Sequence, residues 1–247
     1  MDKSLYVSMT GAAATLRAQA SVSQNLANLS TPGFRALLSH TETFKVEGHG
    51  LKSRFDATGT DGGFDSRMGP LISTGRETDV ALNEGLWLAV ADGEGQEAYT
   101  RSGELNVNQN GLLTTASGRP VMGEAGPIAL PPYSKMEIAS DGSVSIVPLG
   151  QGPETQAIVA RLKVVEAPGA ELNRGADGLF RRSDGELAAP VGGAVLMTGV
   201  IESSNVNAAD SLVKMIELSR SFEMQIRSIK TADENARASN SLLRLSG

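Results

Sequence analysis

Few residues in this chain have the types and spacing that chemistry requires. The segment GEGQEA (93–98) fits a minimal Gly-x-Gly-x-x-Ala dinucleotide fingerprint, which cradles a pyrophosphate only where it opens a helix. Here it runs into EAYTRSGELNV, which alternates like a strand and contains Gly103. A turn between strands is expected instead. The only histidines, His40 and His49, lie near Glu42 and Glu47. A metal centre needs further ligands at fixed spacing, so two solvated loop histidines are expected. The Asp-Gly pairs along the chain lack the ligand series of a calcium loop. No serine or threonine has an assignable base, and the absence of cysteine removes disulfides and thiolate metal sites. No catalytic, cofactor-binding or metal-binding residue is assigned, and no cofactor is implied. The chain reads as a non-enzyme.

Composition narrows the remaining classes. The 247 residues are 40% apolar with a net charge of −6, which fits a soluble globular protein. No block is strongly basic, so a nucleic-acid partner is not expected. No run approaches the roughly 20 apolar residues of a membrane span, so direct membrane insertion is not expected. Arg17 and Gln19 interrupt the one candidate signal segment, GAAATLRAQA, and no cleaved targeting peptide is expected.

Three sections must position whatever the chain does. In the first, Leu5, Met9, Ala12, Leu16, Gln19, Ser23 and Leu26 follow 4-3-4-3 spacing and predict a helix over 3–29 with a narrow apolar stripe. In the last, Leu212, Met215, Ser219, Phe222, Ile226, Ile229, Asp233, Ala236, Asn240 and Leu243 predict a longer helix over roughly 207–245. Glu217–Arg220, Glu223–Arg227 and Asp233–Arg237 lie at helical spacing along its flanks. Between them helical periodicity stops and Asx-Gly turn pairs appear at 61–62, 92–93, 110–111, 141–142, 177–178 and 184–185. Short apolar runs flank these turns. They predict an antiparallel β domain, with Trp87 in its core. The fold class is therefore α+β: long terminal helices, paired as a helical domain, enclose a central antiparallel β domain. The predicted partition is 1–35 with 200–247 for the paired helices, 36–77 for an extended or loop-rich connector, and 78–199 for the β domain. The middle section, 36–200, carries the whole negative excess, a net of −8.

Neither terminal helix has enough large apolar side chains to offset the cost of ordering it alone. Two incomplete seams at opposite ends of one chain are expected to pack on each other and then on neighbours. In an isolated monomer both ends are expected to be largely disordered.

The segment NLANLSTPGF (25–34) is locally a helix stop. Asn28 suits a left-handed C-cap, Pro32 drives Thr31 out of the α region, and Pro32-Gly33 suits the centre of a type II turn. Phe34 anchors the segment after the turn. At the other end Asn205 or Asn207 suits the N-cap of the last helix.

NLANLSTPGF also resembles the signature that closes the N-terminal helix of flagellar rod and hook proteins. TDVALNEGLWLAV (78–90), YTRSGELNVNQNGLLTTASGRPVMG (99–123) and IASDGSVSI (138–146) are similar to that family's β domain. GVIESSNVNAADSLVKMIELSRSFEMQ (199–225) is similar to its C-terminal signature. The matches run in family order over most of the chain. MDKSLYVSMTGA and GEAGPIALP resemble the proximal-rod branch. The resemblance implies a structural subunit of the basal-body rod that polymerises through its terminal helices into the axial drive shaft. The implied partners are copies of itself, other proximal and distal rod subunits, and the flagellar type III export apparatus. The implied location is the basal body, spanning the periplasm, reached without signal cleavage. Residues in the matching motifs are implied assembly contacts: Leu16, Asn25, Leu26, Asn28, Pro32, Gly33 and Phe34 at the start, and Asn205, Val206, Leu212, Met215, Phe222, Ile226 and Ile229 at the end. A distal-rod or hook-type subunit is the alternative within the family. Outside it, the alternative is a secreted β-rich binding module whose helices dimerise.

Overall fold

The computed structural model describes residues 3–45 and 55–245. An N-terminal helix, a central antiparallel β region and a C-terminal helix make an α+β protein. The chain divides into two units. Unit 1 draws on Met1–Ala27, Leu37–Gly63 and Asn207–Gly247, and unit 2 on Asn28–Ala36 and Phe64–Val206.

Unit 1 contains helix α1 (Lys3–Ala27), helix α2 (Ala208–Leu245) and a two-stranded ribbon of β1 (Leu37–Lys45) with β2 (Phe55–Phe64). The buried side of α1 matches the predicted stripe only in part. Of the stripe Ala12 is buried and Leu5, Gln19 and Leu26 are half-buried, but Met9 and Leu16 are 51% and 49% exposed, while Ala14, Thr15, Ala18, Val22 and Asn25, off the stripe, are buried. The cause is size. At Gly11 an added Cβ would lie 3.2 Å from the Gln225 amide oxygen of α2, and at Gly59 of the ribbon one would lie 3.4 Å from Ala14 Cα. Close approach of the Gln225 side chain and of the ribbon backbone at Gly59 favours small residues on this side of α1, which a hydrophobicity pattern scores as weak. Gln225 Nε2 donates to Thr15 Oγ1 at 3.2 Å, the hydroxyls of Ser8 and Ser228 lie 3.3 Å apart, and Arg17 Nη1 donates to the Gly59 carbonyl at 3.0 Å. On α2, Met215, Phe222, Ile226 and Ile229 are half-buried and Leu212 is 49% exposed. Of the three predicted flanking pairs, Asp233–Arg237 forms, at 2.8 Å. Asp61-Gly62 falls inside β2 rather than in a hairpin turn. His40 is exposed on β1, and His49 lies outside the described residues.

Unit 2 holds the β domain. Its largest sheet is five-stranded, in the order β14 (Val164–Glu166), β5 (Leu86–Ala91), β6 (Glu97–Thr100), β16 (Phe180–Arg182), β15 (Leu172–Arg174). A three-stranded sheet joins β11 (Tyr133–Ile138), β12 (Ser143–Pro148) and β13 (Ala157–Arg161). Four pairs complete it: β7 (Leu105–Val107) with β8 (Leu113–Thr115), β9 (Met122–Gly123) with β10 (Gly126–Pro127), β17 (Leu196–Thr198) with β4 (Val80–Leu82), and β18 (Val200–Glu202) with β3 (Leu71–Ser73). The predicted turns at 92–93, 110–111, 141–142 and 177–178 each link two antiparallel partners. The GEGQEA segment is the first of these turns, and it leads into strand β6 as expected.

Two apolar clusters fill unit 2. The larger includes Val80, Leu82, Leu88, Val90, Leu105 and Leu113. The smaller centres on Trp87, which is 3% exposed and donates its indole N–H to the Ala167 carbonyl at 3.0 Å. Phe64 and Phe180 pack on it edge-on or tilted, with centroids 6.0 and 4.7 Å from the indole. Strands β1, β2 and β3 occupy much of the span 36–77.

Candidate functional site

The stop that follows the first helix and the segment that leads into the last helix, far apart along the chain, come together within unit 2. The turn at Thr31–Phe34 forms as its chemistry dictates: Gly33 has φ +69°, and the Phe34 amide donates to the Thr31 carbonyl at 3.2 Å. Asn28 does not take the left-handed cap, since no non-glycine residue among those described has positive φ. Its carbonyl instead receives the Thr31 amide at 3.3 Å, and its side-chain oxygen receives the Thr31 hydroxyl at 3.1 Å. Backbone strain is thereby left to the glycine, where it costs least.

Beyond the turn the chain is tied to the segment that precedes α2. The Gly33 amide donates to the Glu202 carbonyl at 2.8 Å, and the Asn205 amide donates to the Phe34 carbonyl at 3.3 Å. Asn205 is not the N-cap. Its side-chain oxygen accepts the Ala36 amide at 2.7 Å, and its Nδ2 donates to the carbonyls of Asp65 and Arg67 at 3.0 and 2.9 Å. The Asp65 amide in turn donates to the Ala36 carbonyl at 2.8 Å. One asparagine thus ties three separate stretches of unit 2 together. The cap is Asn207, in unit 1, whose Oδ1 accepts the amides of Ala209 and Asp210 at 3.0 and 3.3 Å. Asn25, also in unit 1, bonds both backbone groups of Leu37, accepting at 2.7 Å and donating at 2.9 Å. Leu26, Pro32 and Val206 are half-buried and Phe34 is buried.

The centre of the junction is an ionic cluster that the sequence does not announce. The side chains of Arg35, Arg101 and Glu202 are 1%, 1% and 0% exposed. Glu202 Oε1 accepts from Arg35 Nη1 and, at 2.8 Å, from the Gly69 amide; Oε2 accepts from Arg101 Nε at 2.8 Å and from Arg101 Nη2. The carboxylate is fully used. Arg101 also donates to the carbonyls of Leu82 and Asn83 at 2.9 and 2.8 Å, and to that of Leu86. Burial lowers the pKa of Arg101, opposed by the charge of Glu202. A buried pair of this kind adds little net stability over well-packed apolar groups, but losing one member is costly. Its value here is positional. It fixes where the segments 33–35, 69, 101 and 202 meet.

Glycine at two points makes the approach possible. A Cβ on Gly33 would sit 2.3 Å from the Arg101 carbonyl carbon, and one on Gly69 would sit 2.1 Å from the Ser203 carbonyl oxygen. Both contacts are with backbone, which cannot rotate away. In the sequence Arg101 and Glu202 stand out only as members of the family-like motifs, in YTRSGE and GVIESSN, Arg35 lies just beyond NLANLSTPGF, and Gly69 does not stand out at all; nothing in their local spacing couples them.

A second concave region belongs to the β domain alone. A cavity of about 330 Å³ is lined by residues including Asp92, Glu97, Tyr99 and Arg181. Most of its charged side chains are paired with one another or with neighbours. Arg181 Nη2 lies 2.8 Å from Asp92 and 2.7 Å from Asp177, Lys163 lies 2.7 Å from Glu97, and the Tyr99 hydroxyl donates to Glu97 at 3.1 Å. Arg181, and then the amides of Glu94 and Gln96, hold the Asp92 pKa down to about 2. Among the described residues no group of three or more acidic or histidine side chains is placed to hold a metal ion, and no helix is long and apolar enough to cross a membrane.

The fold and its junction define a class: an α+β protein whose most heavily bonded polar cluster joins backbone to backbone rather than surrounding a reacting centre. Comparison with known proteins agrees. Residues 5–35 match the family described as flagella basal body rod protein, 83–146 the flagellar hook protein FlgE/F/G D1 domain, and 197–242 the flagellar basal body rod FlgEFG protein C-terminal family. The chain is 44% identical to the flagellar basal-body rod protein FlgF of Escherichia coli (strain K12) and 42% identical to that of Salmonella typhimurium (strain LT2), covering all of each protein. It is 32% identical to the FlgG rod protein of Buchnera aphidicola from Acyrthosiphon pisum, over 95% of this chain and 97% of the relative. The chain belongs to the flagellar basal-body rod protein family, and it resembles the FlgF proteins over its full length. It is a structural protein and not an enzyme.

Proposed function

We propose that this protein polymerises as a proximal-rod subunit through its terminal helices. The observation that carries the reading is the apolar surface unit 1 leaves uncovered. Tyr6, Met9 and Leu16 of α1 are 56%, 51% and 49% exposed, and Leu212, Val213, Ile216 and Met224 of α2 are 49%, 55%, 54% and 63% exposed. Tyr6 with Met9, and Leu212 with Ile216, lie three or four residues apart on their helices, so these side chains group along the helices instead of scattering singly, which suits a contact surface. On this reading the terminal segments 1–35 and 200–247 pair as the axial domain, 36–77 connects, and 78–199 is the outer β domain. Leu16 and Leu212 face neighbouring subunits. Met215, Phe222, Ile226 and Ile229 line the seam between the helices. Asn25, Leu26, Asn28, Pro32, Gly33, Phe34, Asn205 and Val206 shape the segments where the chain enters and leaves it.

Repeated head-to-tail contacts that do not close on themselves build a helical tube. The neighbours are further copies and the other proximal and distal rod proteins, in the part of the basal body that spans the periplasm. The flagellar export apparatus delivers the chain without signal cleavage. Terminal segments that order only when the growing tip supplies the missing faces keep the subunit unpolymerised before delivery.

Leu16→Asp and Leu212→Asp separate assembly from folding. Both positions are exposed, so each substitution changes folding stability by no more than about 0.5 kcal/mol. Each is expected to abolish swimming in soft agar and to leave the exported protein outside basal bodies. Normal swimming by both variants would remove these helix faces from the interface.

A further inference from the structure

A buried or half-buried cation ordinarily has an anion or a set of acceptors beside it. Arg35 and Arg101 face Glu202, Arg181 faces Asp92 and Asp177, and Arg182 faces Asp184. Arg174, the last residue of β15, is half-buried and has none among the described residues. Its guanidinium lies over the ring of Phe34, 4.5 Å from the centroid. Its Nη1 is closed off from solvent and bonded to nothing. Its Nε and Nη2 are neither closed off nor bonded among the described residues, so that edge of the fork faces solvent. Arg119 also forms no ion pair among the described residues, but its charge acts on the nearby Asp177 carboxylate, and none of its nitrogens is closed off without a partner.

Stacking on one aromatic ring recovers only part of what desolvation removes. A cation–π contact is worth about 0.5–1 kcal/mol at exposed sites and about 2 when desolvated, and the lowered pKa of Arg174 has desolvation as its cause. The contact leaves two donors, Nε and Nη2, on the open edge of the fork. A planar fork with two parallel donors matches a carboxylate.

We infer that Arg174, lying over the ring of Phe34, is a docking point for the carboxylate of an aspartate or glutamate on a second copy of this chain. The chain's own composition supplies the partner, with 28 acidic residues against 22 lysines and arginines. The inference rests on the rod-subunit reading, because an isolated monomer never fills the site.

The test uses the full-length protein. Arg174→Met keeps the length of the stem and removes the charge. The purified monomer is expected to melt at the same temperature as wild type or higher, since an unpaired desolvated cation is lost. The amount of the variant in purified basal bodies is expected to fall tenfold or more. Arg174→Glu is expected to abolish swimming, and selection for motile revertants should return an Asp→Lys or Glu→Lys change within the same gene. Normal incorporation of Arg174→Met would overturn the proposal. So would loss of incorporation with a lower melting temperature, which would make Arg174 a packing residue for Phe34. Revertants confined to other genes would exclude the second copy as the partner. Wild-type protein is measured in the same preparations; its absence from basal bodies would defeat the rod reading itself, independently of any Arg174 result.

Discussion

Glu202→Ala is expected to lower the unfolding free energy of the β domain by about 3–5 kcal/mol. The magnitude comes from the groups left without a partner. Arg35 and Arg101 would remain buried, 1% exposed each, with no carboxylate between them. The Gly69 amide would lose its acceptor, and Arg35, whose Nε is already without a partner, would lose its one ion pair. A well-buried donor left unmade costs about 1–3 kcal/mol by itself. Arg101 would retain its three backbone carbonyls, so the Arg35 side of the junction should loosen first. Urea unfolding followed by fluorescence measures this directly, because Trp87 is the single tryptophan and lies 5.9 Å from the Arg101 guanidinium carbon. Arg35→Ala combined with Glu202→Ala should cost clearly less than the two changes summed, since both remove the same interaction. A loss below about 1 kcal/mol for Glu202→Ala would mean that the cluster is not the fixed point of the junction.

Gly33→Ala carries the second large effect, through two separate penalties. At φ +69° a side chain costs roughly 1–2 kcal/mol. The new Cβ would also fall 2.3 Å from the Arg101 carbonyl carbon, 2.4 Å from its oxygen and 2.5 Å from the Ser102 amide nitrogen. Relieving that overlap moves backbone that carries the Gly33–Glu202 hydrogen bond and the root of the Arg101 side chain. A loss of about 3 kcal/mol or more is expected from the strain and the broken contacts together. Gly85→Ala is the control. Gly85 has φ +75° but nothing within 4 Å of an added Cβ, so it should show the conformational penalty alone, about 1–2 kcal/mol. Equal losses at the two positions would mean that the close approach to Arg101 contributes nothing.

These two effects concern residues whose importance the sequence reveals unequally. The Thr-Pro-Gly-Phe turn was legible because proline and glycine each restrict the backbone at their own position, without reference to anything distant. Four hairpin turns and the core position of Trp87 were legible for the same reason: turn chemistry and apolar alternation are local. Glu202 was not. Its partners lie 101 and 167 residues away along the chain, and a lone glutamate after Val200-Ile201 has no local mark of burial. The two asparagines before α2 divide in the same way. Either suits a cap by local rules, and Asn207 is the cap, while Asn205 bonds segments that only the folded chain brings near.

The span of helix α1 and its buried Ala12 were legible, but the rest of its buried side was not, for a different physical reason. The Gln225 side chain approaches closely at Gly11 and the ribbon backbone at Gly59 approaches Ala14, which favours small residues, while periodicity follows the larger Met9 and Leu16. Met9 and Leu16 remain about half exposed, while Leu5 and Leu26 are half-buried. The difference is informative, because side chains that look like a core stripe and are not buried within the subunit are the ones a neighbour would cover.

The most direct measurement is mass spectrometry of purified hook–basal bodies from the source organism, with wild-type protein and with Leu16→Asp. The wild-type chain should be found there together with other rod proteins, retaining its Met1–Arg17 peptide, and the variant should be lost from the particles while still being exported. Wild-type protein found only in the soluble periplasm or the medium, and never in the particles, would contradict its assignment as a rod subunit.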